Sequence, residues 1–154
     1  MKELRIIGVG NALRGDDGCG PAVVRSLTGR VPNTVASLEH NGDGISLLDI
    51  WEGAAWVIVV DAANSGATPG TIYRFDAAET QLPRGFFHAS THELGVAEAV
   101  ELARSLGRLP ERLIVYAIGG ECFPPVPSYP LQVADAVEPT VKRIVAEINC
   151  ARTA

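Results

Sequence analysis

The residues that could carry chemistry in this 154-residue chain are two carboxylates and one imidazole, each near a predicted secondary-structure boundary. Asp17 lies in the glycine-rich stretch GVGNALRGDDGCGP, which follows a short apolar run. Asp61 comes directly after the apolar segment WVIVV, and His92 lies in STHELGV. Two carboxylates and an imidazole suit a divalent ion such as zinc, nickel, manganese or iron, with open positions for a substrate. The carboxylates alone also suit an acid–base pair that activates water.

Each of these residues also has an ordinary structural interpretation. Asp61 could accept hydrogen bonds from the backbone of the loop that follows it, as buried carboxylates often do. Asp16 and Asp17 precede a glycine, so either could form a turn or cap the next helix. Adjacent side chains usually point in different directions, so we expect only one of the two to enter a shared site. His92 could simply be a residue of a helix N-terminus.

The hydrophobic pattern predicts the elements that must position these residues. The predicted strands are Leu4–Val9, Thr34–Leu38, Trp56–Val60, the segment GTIYRFDA, and Leu113–Ile118. Four helices are predicted. The first begins near Pro21, and the second covers NGDGISLLDIW with Ile45, Leu48 and Trp51 inward. The third follows the capping box Ser90–Glu93 and has apolar residues at helical spacing, namely Val96, Ala99, Val100, Ala103 and Leu106, and the fourth runs from about Val133 to Ile148. The segment GGECFPPVPSYP is predicted to be a loop.

Alternation of strands and helices predicts an α/β fold, a three-layer sandwich with a twisted, mostly parallel sheet of about five strands and helices on both faces. We expect residues 1–154 to form a single domain. Strands with an unbroken apolar sequence are predicted to lie at the centre of the sheet, and the more polar strand GTIYRFDA is predicted to lie near an edge. Ligands of such sheets bind outside the carboxyl ends of the strands, where Asp17 and Asp61 are expected. An antiparallel GTIYRFDA strand would bring His92 to the same side.

Composition excludes several classes of function. The net charge is −5 and no Lys/Arg cluster occurs, so nucleic acid and anionic membranes are not expected partners. No apolar run is long enough to span a bilayer, and the N-terminus lacks the features of a signal peptide. The three cysteines form no even framework and no C-x-x-C motif. We therefore expect a cytoplasmic protein with reduced thiols, and nothing in the sequence requires more than a monomer.

Familiar catalytic and cofactor motifs are incomplete or missing. The glycine-rich stretch has Leu13 where a dinucleotide-binding fingerprint needs its third glycine, and no Lys-Ser/Thr follows to make a P-loop. Its aspartates would also repel phosphate. The sequence contains neither a serine nucleophile motif nor an H-E-x-x-H zinc helix. Cys19 is interpreted as a packed thiol, and no role is predicted for His40 or His88.

Four segments resemble those of the hydrogenase maturation endopeptidases, in the family's order and spacing. They are IIGVGNALRGDDGCGP, EHNGDGISLL, VVDAANSGATPGT and STHELGV, which together cover roughly the first two-thirds of the chain. Members of this family trim a C-terminal extension from the precursor of a [NiFe]-hydrogenase large subunit. The remainder of the chain is similar mainly in layout, and the proline-rich loop 119–130 matches no family pattern.

The resemblance implies roles for three residues. Asp17, Asp61 and His92 match the family's metal-contacting positions, and Asp17 stands where some members have the longer glutamate. The implied metal is nickel already installed in the precursor, and the resemblance leaves room for other divalent metals to substitute. Recognition of that nickel would serve as a check that only a loaded precursor is cut. For peptide hydrolysis two routes are open: Asp17 or Asp61 activates water as general base, or the metal polarises the carbonyl or the water.

A different class of function fits the same residues. The alternative is a non-catalytic metal-binding domain or nickel-sensing chaperone of the same fold, which would bind without cutting. A third interpretation, a Rossmann-type oxidoreductase, conflicts with the broken glycine fingerprint. The sequence thus predicts a maturation endopeptidase with Asp17 and Asp61 as catalytic residues and a hydrogenase large-subunit precursor as protein substrate.

Overall fold

A computed structural model of the chain describes residues 3–10, 18–40, 44–63, 70–83, 95–119 and 131–153. The strands are β1 (Leu4–Val9), β2 (Ala36–His40), β3 (Trp56–Ala63), β4 (Ile72–Asp76) and β5 (Arg112–Gly119). The helices are α1 (Cys19–Leu27), α2 (Gly44–Trp51), α3 (Val96–Ser105) and α4 (Leu131–Thr153). No helix in these ranges combines the length and apolar character that crossing a bilayer requires.

The five strands form one sheet in the order β2-β1-β3-β5-β4. The pairs β1–β2, β1–β3 and β3–β5 are parallel, and β4 pairs antiparallel with β5 at the edge. Strands β3 and β5 lie at the centre because they are apolar on both faces, so that nearly every residue is buried. The predicted α/β fold and the edge position of the fourth strand are confirmed.

Helices cover both faces of this sheet. On one face, Val57, Val59 and Ala63 of β3 pack in an apolar cluster with residues of α2 and α3. On the other face, Ile58 and Val60 pack with residues of α1 and α4. Alternate residues of a strand point to opposite faces. The odd-numbered residues of β3 therefore face α2 and α3, and the even-numbered residues face α1 and α4.

Several predicted strand boundaries were wrong. The second strand was expected at Thr34–Leu38 but spans Ala36–His40, where it pairs with β1 up to Val9. The third was expected to end at Val60 but continues to Ala63. Pairing explains the extension, because β5 reaches Gly119 and supplies backbone partners beyond the apolar run. An interstrand ladder therefore determines the end of the strand, and hydropathy alone does not show it.

Helix α2 begins at Gly44 and differs from its predicted orientation. Ile45 was expected to face inward but is 63% exposed, whereas Leu47 is fully buried alongside Leu48 and Trp51. The buried set is thus offset from the predicted one. In a helix of 8 residues, few apolar positions are available to distinguish the two registers, and packing against the sheet selects one.

Helix α3 begins at Val96, and its N-cap residue is Gly95 rather than Ser90. The capping-box residues Ser90–Glu93 lie outside the described residues. Four predicted inward residues of this helix are confirmed as buried, whereas Leu106 follows the helix end and is 56% exposed. The buried positions are Val96, Ala99, Val100 and Ala103.

Helix α4 runs longer than the predicted span of about Val133 to Ile148, and its half-buried Glu147 ties it to the sheet through polar contacts. Glu147 accepts hydrogen bonds from Tyr116 of β5, at 2.6 Å, and from Arg74 of β4, at 3.0 and 3.1 Å. Arg112 approaches the same carboxylate at 3.5 Å and stacks over the Trp56 ring at 4.2 Å. Burial opposes the charge of Glu147, but the bonds from Arg74 and Tyr116 more than offset it and lower the pKa of the carboxyl.

Candidate functional site

The candidate site lies at the carboxyl ends of β1 and β3. The chain passes from β1 to β2 on one side of the sheet centre and then to β3 on the other side. The helices that follow β1 and β2 cover opposite faces, so the ends of β1 and β3 form the switch point of the sheet, where a crevice is expected. Such a switch point is where open α/β sheets bind their ligands. The glycine-rich segment leaves β1 at this point, and Asp61 lies in the adjacent strand.

Asp61 is one of only two polar residues in the buried set of the described residues, with 2% of its surface exposed. It lies within β3, opposite Ala117 of β5, and not after the end of the strand as predicted. Its Oδ1 atom accepts a 2.8 Å hydrogen bond from the N–H of Ala62, which helps to orient the carboxylate. By parity Asp61 shares the sheet face of Val59 and Ala63, which is the face covered by α2 and α3.

Two glycines allow α1 to begin unusually close to the ends of β1 and β3. A Cβ atom on Gly20 would lie 2.3 Å from the carbonyl oxygen of Val9 and 2.7 Å from that of Val60. A Cβ atom on Gly8 would lie 2.4 Å from the carbonyl oxygen of Gly20. No side chain fits at these distances, so the pair of glycines sets the position of the first turn of α1. That turn directly follows Asp17 in the chain.

His40 is the last residue of β2 and was not identified from the sequence. The predicted strand ended at Leu38, which left His40 in a loop with no assigned neighbours. In the structure its Nε2 lies 2.9 Å from the hydroxyl oxygen of Ser46, in the first turn of α2. Its carbonyl oxygen accepts a 2.9 Å hydrogen bond from Gly10, where the glycine-rich segment begins. The available sequence signal was the Asn-Gly-Asp-Gly pattern after His40, whose composition is typical of the segment that ends a strand.

The other predicted site residues, Asp17 and His92, lie outside the described residues, as does Asp16. Within the described part of the chain no three His, Cys, Asp or Glu side chains form a metal-binding group. The parallel arrangement of β1 and β3 brings the end of β1 beside Asp61. Strand β4 is antiparallel to β5, and the position of His92 stays a prediction. A carboxylate as deeply buried as Asp61 is the expected anchor of an ion or acid–base site.

Comparison with protein families gives one matching family model, hydrogenase maturation protease, over residues 21–148. Among curated proteins, the hydrogenase expression/formation protein HupD of Thiocapsa roseopersicina is 31% identical over 118 residues. This match includes 75% of the present chain and 53% of the relative, so the chain spans about half of that protein's length. HupD of Bradyrhizobium diazoefficiens is 31% identical over 134 residues, which are 80% of the chain and 70% of the relative.

The fold is also similar to that of solved structures. The hydrogenase maturating endopeptidase HybD from Escherichia coli superposes with a TM-score of 0.79 at 24% sequence identity. The superposition covers 97% of the present chain and 93% of the HybD chain. At this level of identity the likeness establishes a common α/β fold.

Proposed function

The chain belongs to the hydrogenase maturation protease family, and from this membership we propose that it is an endopeptidase that processes a [NiFe]-hydrogenase large-subunit precursor. Its reaction is removal of the precursor's C-terminal extension after nickel has been inserted. The relatives carry names that refer to hydrogenase expression and formation or to endopeptidase activity. The family match begins within α1 and ends within α4, so it includes β3 with Asp61 but not β1 or Asp17.

The observation that carries this proposal is the buried Asp61 carboxylate at the switch point. Buried charge is costly, so a carboxylate with 2% of its surface exposed needs compensation from the groups around it. A carboxylate that served only as a loop cap could do so at an exposed position. Burial at the ligand-binding edge instead matches a group that works on a substrate.

Three residues are assigned to the substrate's nickel. Asp17 and Asp61 supply carboxylate oxygens and His92 supplies an imidazole nitrogen, and this mixed set suits a borderline divalent ion. The nickel arrives as part of the precursor and is therefore recognised as substrate. A precursor without nickel lacks these ligand bonds and docks less tightly by their free energy. Selection for the loaded precursor follows from that difference alone.

The hydrolytic step needs a base for water and a polarised carbonyl. We assign the base to the carboxylate pair, because no serine motif and no zinc helix offers an alternative. A carboxylate whose orientation is fixed is suited to act as a general base. The hydrogen bond from the N–H of Ala62 to Oδ1 helps to fix the orientation of Asp61.

The test is cleavage of a purified large-subunit precursor, prepared with and without nickel. The measurement is intact mass before and after incubation with the protein. We expect a shortened precursor only in the nickel-loaded sample. The matched control is Asp61→Asn, which keeps the shape of the side chain and an acceptor for Ala62 but removes the charge.

Two outcomes would contradict the proposal. Equal cleavage of both samples would show that cleavage does not depend on nickel, although the protein would still be an endopeptidase. Nickel-dependent complex formation without any loss of mass would favour the non-catalytic binding protein instead.

A further inference from the structure

A second imidazole lies on the same sheet face and at the same edge as Asp61. His40 pairs in register with Val9. The β1–β3 register runs to the pair Gly8–Val60, so Val9 and Asp61 are the next residues of their strands. Adjacent residues of neighbouring parallel strands point to the same face. His40, Val9 and Asp61 thus form one row, with the Cα atoms of His40 and Asp61 roughly 10 Å apart at about 4.8 Å per strand.

The contacts of His40 agree with this placement. Its ring is hydrogen-bonded to Ser46 of α2. Helix α2 packs on the sheet face that carries Val59 and Ala63, and Asp61 lies between these two residues on the same face of β3. The hydroxyl of Ser46 restrains the orientation of the imidazole, as an orienting group does for a catalytic histidine. The ring is only partly buried, so a substrate in the crevice can approach it.

We propose that His40 is a catalytic residue of the peptidase reaction, which donates a proton to the leaving amine. The inference rests on the proposed function. Hydrolysis of a peptide bond needs this proton, because an amide nitrogen leaves as a neutral amine and not as an anion. The carboxylate that acts as base holds the proton taken from water, His92 is assigned to nickel, and His40 lies in the row of Asp61, where it can deliver a proton to the leaving nitrogen.

The proton balance of this step closes. A carboxylate takes a proton from water as the new C–O bond forms. The C–N bond then breaks, its electron pair stays on nitrogen, and the protonated His40 ring gives that nitrogen its proton. The proton held by the carboxyl group returns to His40 through water. One water molecule is consumed, and the products are a new C-terminal carboxyl and a new amine.

Other described charged groups near β2 are directed elsewhere. Glu39 points to the opposite sheet face and pairs with Arg25 at 2.8 Å. Asp49 of α2 pairs with Arg108 at 3.4 Å. Within the described part of the chain, His40 is therefore the proton donor that best matches the row containing Asp61.

The test is single-turnover cleavage of the nickel-loaded precursor by full-length His40→Ala, with precursor binding measured in parallel. We expect cleavage to slow by about 10²-fold while affinity for the precursor is unchanged. Added imidazole should restore part of the rate in His40→Ala. His40→Gln can still bond to Ser46 but cannot deliver a proton, so it should be as slow as the alanine variant. Ser46→Ala should lose less, and His88→Ala is the matched control with wild-type cleavage.

Each remaining outcome overturns the inference. Wild-type cleavage by His40→Ala removes His40 from the chemistry, and recovery in His40→Gln assigns it a structural role. Parallel loss of binding makes it a docking residue. A covalent adduct on Ser46 would make the serine a nucleophile and His40 its base. An inactive wild-type protein refutes the proposed function itself, and that result is distinct because it does not depend on any variant.

Discussion

The hydroxyl of Tyr116 donates a 2.6 Å hydrogen bond to Oε1 of Glu147, and through it the longest helix is joined to the central part of the sheet. The same carboxylate accepts two bonds from Arg74 on the edge strand. Three elements that are distant in sequence thus meet at one half-buried charge. The Tyr116 side chain packs on the sheet face covered by α1 and α4, opposite the face of Asp61, so it can be changed without contacting Asp61.

We expect Tyr116→Phe to reduce the free energy of unfolding by about 1.5–3 kcal/mol, the usual worth of a hydrogen bond to a charged group. Urea unfolding of the single variants Tyr116→Phe and Glu147→Gln and of the double variant measures it. A coupling energy between the two sites confirms the interaction, and strictly additive effects would show that the bond contributes nothing. Precursor cleavage should be unchanged in Tyr116→Phe.

The stability that Glu147 contributes should depend on pH. Its folded-state pKa lies below the ordinary carboxyl value of 4.5, because bonds from Arg74 and Tyr116 outweigh burial. The contribution is therefore fully present above the unfolded-state pKa and is lost as pH falls through the folded-state value. Unfolding measured over an acid pH series should show the difference between wild type and Glu147→Gln shrinking as pH decreases. A difference that grows toward acid pH would reverse the sign of the assigned shift.

Gly20→Ala should impair activity through geometry. Its methyl group would collide with the carbonyl oxygens of Val9 and Val60, so the first turn of α1 must move. We expect a loss of about 1–3 kcal/mol of stability together with loss of precursor cleavage. Gly29→Ala is the control: with φ of +80° and open space around it, it should lose about 1 kcal/mol without displacing anything. Equal cleavage by the two variants would mean that α1 does not position the site.

The assigned site residues should behave as a group. Asp17→Asn, Asp61→Asn and His92→Ala should each slow precursor cleavage by about 10²-fold or more, because each removes a ligand or the base. Thermal unfolding should show that the variants remain folded. Asp16→Asn is the neighbouring control and should lose much less activity. Comparable losses in Asp16→Asn and Asp17→Asn would show that the wrong member of the pair was assigned.

Much of the fold could be predicted because hydrophobicity is local information. The strand Leu4–Val9 was predicted with its observed bounds, and the uninterrupted apolar run after Trp56 indicated a strand buried on both faces. Asp61 stood out for the same reason, as a carboxylate at the end of such a run. These features depend on neighbouring residues in the chain, and no tertiary contact is needed to recognise them.

The sequence by itself therefore determined the fold class, the family and the choice of Asp61 as a candidate functional residue. The tertiary structure decided which residues share a face and a row. Pairing with β5 extends β3 beyond its apolar run, and the packing of α2 leaves Ile45 exposed. The sheet register pairs His40 of β2 with Val9 on the adjacent strand β1. Register and helix rotation arise from contacts between segments far apart in the chain. The sequence pattern of one segment cannot specify them, because several registers bury similar apolar surface and only the assembled sheet selects among them.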